Sequence, residues 1–317
     1  MVVGLCLAAS LPAGGSPQQT SFSSAAMESR LPATRVESYV VNARVRPLLL
    51  FWIGRDNVGL ATLSWRKAAD NRRAFEFLIG SDPERAPRSI NRWGFIVEEL
   101  NGESADVFGV MKESGEQTLA EAEAKVSGEG TVSTFKAART SIKGNKAVSG
   151  LITMQAPSHL TYRDVDALLA LVPTEASEHK TLDLPAGTEK GFLVAMDSLI
   201  DASIGPCGGT SRGAKAVPAI RYLYNQTLFD LALESCRYED VVSAGSASYN
   251  DIVDGRFRLK NLTTKHVTTF HMAYGASGEL RGVPVRATFQ PRWWMEIDLA
   301  LVRSPAARLT SADPVGR

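Results

Sequence analysis

Along most of this chain, apolar and polar residues alternate with a period of two. Tyr39, Val41, Ala43 and Val45 alternate with Val40, Asn42, Arg44 and Arg46. Successive side chains of an extended backbone point to opposite faces, so this is the pattern of a half-buried strand. Pro47 interrupts it, and a wholly apolar run follows to Ile53. Gly54-Arg55-Asp56-Asn57 supplies turn chemistry, with strands expected over Val58–Trp65 and Phe75–Ile79. The loop Gly80–Asn91 carries two prolines, which oppose a regular element there. A strand follows from Trp93 to Glu99, and Asn101-Gly102 predicts a tight turn into another over Ala105–Met111. Good helix formers in Gln117–Val126 predict a short helix. Strands are expected again over Val132–Ala138 and Val148–Met154, around the Gly144-Asn145 turn.

The middle of the chain changes period. Thr161-Tyr-Arg-Asp164 reads as a capping box ahead of an apolar stretch that Pro173 ends. Phe192, Leu193, Ala195, Met196, Leu199 and Ile200 recur at helical spacing. Ile220, Leu223, Tyr224, Leu228, Leu231 and Ala232 predict a longer amphipathic helix, so residues 161–237 read as a helical block. Alternation then returns at Phe257 and Leu259, at Val283, Val285, Ala287 and Phe289, and at Trp293, Met295, Ile297, Leu299 and Leu301.

Helices and strands do not alternate, which argues against a parallel βαβ sheet. The expected fold is α+β and β-dominated: a large antiparallel, strongly curved sheet or partly closed barrel with a central helical block. Curvature protects the edges of so many strands. The organisation that follows is a candidate signal peptide over 1–20, a flexible lead-in over 21–37, one domain over 38–303 and a disordered tail over 304–317.

Composition narrows the partners. With 35 basic and 34 acidic residues the net charge is +1, which argues against a nucleic-acid partner. The apolar run near the N-terminus is too short to span a bilayer, and no transmembrane segment is expected. That run, followed by small residues, resembles an export signal and points to a secreted or periplasmic location. It lacks a Lys or Arg ahead of it, and a start at Met27 would leave a cytoplasmic protein. Loss of the leader removes Cys6 and leaves Cys207 and Cys236, either as one bridge or as two partly buried thiols.

The motifs with catalytic potential are weak. Gly209-Thr-Ser211-Arg-Gly213 matches a nucleophile elbow, followed in order by Asp251 or Asp254 and by His266 or His271. An elbow needs a buried strand before it, and Gly205-Pro-Cys-Gly stands there instead. Ser211, Asp254 and His271 are carried forward as the catalytic candidates. His266 and His271 fall on opposite faces of a regular strand, and no metal site or cofactor is expected. Arg85, Arg88 and Arg92, with Trp93 beside them, form a candidate anion or sugar site. The plain alternative is solvated arginines, with Arg92 paired to Asp82 or Glu84. Arg55 and Asp56 read as a salt-bridged turn, and Trp294 beside Arg292 as an exposed contact. Asn225-Gln-Thr and Asn261-Leu-Thr match a glycosylation sequon, the first inside the expected helix.

In general pattern the chain resembles exported bacterial proteins rich in antiparallel strands, and no functional residue carries over from that likeness. The leading expectation is an exported envelope or periplasmic binding protein that holds an apolar or lipid-like small molecule in the sheet's concavity. A secreted Ser/His/acid hydrolase and a structural or protein-interaction module are the alternatives.

Overall fold

The computed structural model describes residues 31–46, 53–86, 90–112, 132–172, 178–207, 217–292 and 295–302. Seven strands come first: β1 Ala33–Val45, β2 Ile53–Lys67, β3 Arg73–Ser81, β4 Trp93–Asn101, β5 Ser104–Lys112, β6 Val132–Lys143 and β7 Lys146–Pro157. A short helix α1, Val165–Leu169, leads to β8, Glu178–Asp183, and the long helix α2, Phe192–Cys207. Six strands complete the fold: β9 Ile220–Tyr224, β10 Thr227–Ala244, β11 Ala247–Asn261, β12 Val267–Gly275, β13 Pro284–Arg292 and β14 Met295–Leu301.

Among the described residues all 14 strands belong to one antiparallel sheet, in the order β8-β7-β6-β5-β4-β3-β2-β1-β14-β13-β12-β11-β10-β9. The first and last strands pair at its centre, and two wings of hairpins run outward. β8 and β9 are its two edges, yet they are consecutive in the chain and α2 connects them. Laid flat, such a sheet would separate its edges by about 60 Å. Instead α2 packs against strands of both wings at once, which a curled sheet allows and a flat one does not. The fold is therefore a β-dominated α+β architecture whose sheet is strongly curved and not closed into a barrel.

The segment after β8 bridges the gap. Glu189 donates its backbone N–H to Arg221 O on β9 and accepts from Leu223 N. Its neighbour Lys190 donates its ammonium to Gly102 O in the β4–β5 turn. The Tyr224 hydroxyl on β9 lies 3.2 Å from where a Cβ on Gly109 of β5 would stand.

Both faces of the β4–β7 wing are apolar, for different reasons. Ile96, Leu100, Ala105, Val107, Ile142 and Ala147 face α2 on the concave side. Trp93, Phe95, Phe108, Val110 and Phe135 form the outer cluster, covered by Tyr162, Val165 and Leu168 of the α1 segment. Thr161 caps that segment as expected, its side chain accepting from Arg163 N while Asp164 accepts from Thr161 N. Elsewhere the convex face carries ion pairs, among them Arg286–Asp298, Arg258–Glu234 and Arg237–Asp254.

Three expectations are corrected. Residues 220–232 form no helix: β9 and β10 make a hairpin around Asn225-Gln226, both at positive φ, 42° and 62°. Two such residues are what a tight right-twisted hairpin requires. The candidate sequon at Asn225 thus sits in a turn. Residues 54–57 form no turn either, because β2 runs through them and absorbs Asn57, at φ 54°, as an irregularity in its register with β1. Finally, the lead-in ends earlier than residue 37, since β1 begins at Ala33 and pairs Arg35 with Trp65. Residues 113–131, with the expected helix at Gln117–Val126, lie outside the described residues, as do 1–20 and the tail.

Candidate functional site

The concavity is organised by α2. Its apolar positions Ala195, Met196, Leu199, Ile200 and Ile204 pack against Phe257, Phe270, Tyr274 and Phe289 of one wing. Leu193 and Val194 pack against Phe75, Ile96 and Leu100 of the other. A helix in contact with both wings needs its polar ends satisfied away from water. At the N-terminus this is done by Glu98, a fully buried residue on the concave face of β4. Its two carboxylate oxygens accept from Leu193 N and Val194 N, each at 2.9 Å. Burial pushes the Glu98 carboxyl up to about 7 against the pull of those N–H groups. The buried hydroxyls facing it belong to Tyr222 and Tyr224, both pushed upward by burial and by Glu98, Tyr224 to about 12.

Gly191 makes room for this carboxylate. A Cβ there would lie 2.2 Å from Oε2 and 2.3 Å from Cδ of Glu98. Gly191→Ala is expected to cost about 2 kcal/mol by overpacking. In a Glu98→Ala background the same change should cost much less. Denaturant unfolding of the two single variants and the double variant reads this coupling, and additive losses would refute the contact.

Further tethers run along the helix. The Trp65 indole on β2 donates to Asp197, whose carboxyl is raised chiefly by burial. Ser203 Oγ and Tyr274 Oη share a hydrogen bond of 2.6 Å. Arg281 pairs with Asp201 at 3.0 Å. At the C-terminus Cys207 is disulfide-bonded to Cys236 of β10, with a Cα–Cα distance of 5.9 Å.

Between α2 and the central strands, the concave face is less completely covered. The register places Trp65, Leu63 and Ala61 of β2 on one face with Phe75, Phe77 and Ile79 of β3 and with Arg35, Glu37 and Tyr39 of β1. The same face continues through Val41–Leu299 and Ala43–Ile297 into Ala287 and Phe289. Ala43, Leu63, Trp65, Phe77, Ala287 and Ile297 on it are half-buried apolar side chains. The result is a half-buried apolar strip, edged by the Arg35–Glu37 ion pair at 2.7 Å and by the Arg35 guanidinium over the Trp65 ring.

The residues singled out from sequence fall elsewhere. Trp93 is 1% exposed, donates its indole N–H to Leu160 O and packs at a tilt against Phe135 in the outer cluster. Arg85 stands 3.8 Å from the buried Asp82, and the closer partner of that carboxylate is Arg163, at 2.9 Å. Arg92 is exposed, and its backbone N–H is held by Ser81 Oγ. The expected convergence of arginines is thus an Asp82-centred ion cluster made with Arg163. Arg88, Trp294 and Ser211 lie outside the described residues. Asp254 is paired with Arg237, and His271 is exposed on β12 opposite Arg256 and Thr288. Arg55 and Asp56 are exposed along β2. No local pattern marks Glu98 as a site residue. Glu98 sits in an apolar strand like any solvent-facing glutamate, and its partners are 95 and 96 residues away.

Among the described residues no helix is long and apolar enough to cross a membrane, and no group of three His, Cys, Asp or Glu is placed to hold a metal. No protein-family model matches the chain, nor does any curated protein. Two solved structures resemble it weakly. One is a β-barrel-like protein, a domain of unknown function, from Brucella abortus, with TM-score 0.42 and 11% identity over 86% of this chain and 98% of that one. The other is a "putative lipoprotein" from Parabacteroides distasonis, with TM-score 0.29 and 8% identity over 90% of this chain and 98% of that one. At these scores neither likeness carries an argument, and the fold rests on the strand register described above.

Proposed function

We propose that this is an exported binding protein that holds an apolar molecule in the groove between α2 and strands β13, β14, β1, β2 and β3. The observation that carries this reading is the run of half-buried apolar side chains, Ala43, Leu63, Phe77, Ala287 and Ile297, on the concave face. Apolar area left partly in water inside a concavity gains free energy when a ligand covers it, about 25 cal/mol per Å². The Cys207–Cys236 bridge supports export, since structural disulfides persist in oxidising compartments.

A solvatochromic apolar dye such as Nile red tests the reading. Wild-type protein should bind it with a blue-shifted emission. Ala43→Trp, which fills the groove, should weaken binding by about tenfold or more. Val36→Trp, on the opposite and exposed face of β1, should leave binding unchanged. Absence of dye binding by the wild-type protein would refute the groove.

A further inference from the structure

At one end of the sheet, strands β2, β1, β14 and β13 continue beyond their pairing with the strands on either side. Pairing of β2 with β3 stops at Gly59–Ser81, and pairing of β13 with β12 stops at Phe289–Phe270. Past those points the four strands pair only with one another, through Val45–Ile53, Val45–Met295 and Arg292–Met295. Ile53 to Asn57 are all exposed, Ile53 at 48%. One exposed isoleucine needs no explanation by itself. Its setting in the sequence gives it one. The chain joins these strand ends through Pro47-Leu-Leu-Leu-Phe-Trp52 and through Trp293-Trp294, so three of the five tryptophans fall in the two connections. Arg44, Arg46, Arg55 and Arg292 flank them, against Asp56 and Glu296. Arg44 and Arg55 are exposed, and Arg44 stands 3.6 Å from Glu296. The β5–β6 connection at the same end is acidic, with five glutamates and one lysine over 113–131, so the positive patch is confined to this four-stranded tab.

We infer that the tab is where the protein meets an anionic lipid bilayer. Tryptophan settles at the boundary between head groups and acyl chains, and leucine and phenylalanine insert just below it. Arginines beside such residues pair with anionic head groups. The near-neutral charge of the whole chain does not oppose this, because the attraction acts only over about 8 Å at physiological salt. The competing occupant is a second copy of the chain. Two tabs meeting across a two-fold axis would set arginines against arginines, whereas an anionic surface complements them. The inference stands apart from the groove, and either could fail without the other.

Vesicle flotation of the whole chain tests this, so that residues 1–20 contribute equally to every variant. Vesicles of phosphatidylcholine alone are compared with vesicles holding about one-third phosphatidylglycerol. Wild-type protein should partition about tenfold more strongly onto the anionic vesicles, with tryptophan emission shifted to the blue. The double variant Arg44→Glu/Arg55→Glu should lose that preference, and Ile53→Asp should weaken binding about tenfold. Val241→Asp, which changes an exposed valine at the far end of β10, should bind as wild type does. All these positions but Arg292 and the connections are exposed strand sites, and circular dichroism checks that each variant keeps its sheet. Wild-type protein that floats with neither vesicle, or equally with both, overturns the inference. So does undiminished binding by the double variant, or an equal loss in Val241→Asp. Self-association in solution that Ile53→Asp abolishes would assign the tab to a second copy and overturn it as well.

Discussion

Glu98→Ala should lower folding stability by about 4 kcal/mol near pH 5, and by much less near pH 8.5. The loss has two sources. Leu193 N and Val194 N would be left without an acceptor in a dry interior, each costing about 1–3 kcal/mol, and the truncated side chain leaves a void. The pH dependence follows from the wild-type carboxyl. Its proton affinity is higher in the folded chain, at about 7 against an ordinary 4.5, so the folded state binds the proton more tightly. That contribution is fully present below the ordinary carboxyl range and is lost as pH rises through about 7. It amounts to about 3 kcal/mol. Wild-type stability from this group should therefore fall between about pH 5 and pH 8.5, and Glu98→Gln should remove that slope. Urea unfolding across this range measures both effects. A Glu98→Ala loss that is flat with pH would contradict the buried carboxyl described here.

Removal of the Cys207–Cys236 bridge should cost about 3 kcal/mol, from the entropy that a closed loop of this size withdraws from the unfolded chain. A double alanine variant, or reduction under mild denaturant, should lower the unfolding midpoint accordingly. The loss should be local before it is global. The bridge fixes the C-terminal end of α2 to β10, while Glu98 fixes the other end to β4. Amide exchange should therefore quicken first in the last turn of α2. Unchanged exchange there, with stability lost elsewhere, would argue that the bridge restrains only the unfolded chain.

Much of this architecture was legible in the alternation of apolar residues, since each strand with one buried face carries the period that its pleat imposes. Tyr39–Val45 and Met295–Leu301 are examples, and the helix around Phe192–Ile200 was equally plain. The hairpin at 220–232 was not. Its apolar positions fit both periods, and what decides is the pair Asn225-Gln226, whose left-handed backbone only a turn accommodates. The sheet's curl follows from edge protection, but the helix it wraps is not legible: α2 packs on both wings, which only the strand order reveals. The site was the least legible part. Arginines and tryptophans drew attention to the loop at 80–93, yet Trp93 packs in the outer cluster and Asp82 gathers Arg163. Glu98 takes its meaning from burial and from partners that no local pattern records.

The most direct test of the groove is photoaffinity labelling with a diazirine-bearing alkyl chain, followed by peptide mapping. Labelled residues should fall on the concave face, among Ala43, Leu63, Phe77 and Ile297, and Ala43→Trp should suppress them. Labelling confined to the convex face, or to the outer cluster around Trp93, would contradict the account.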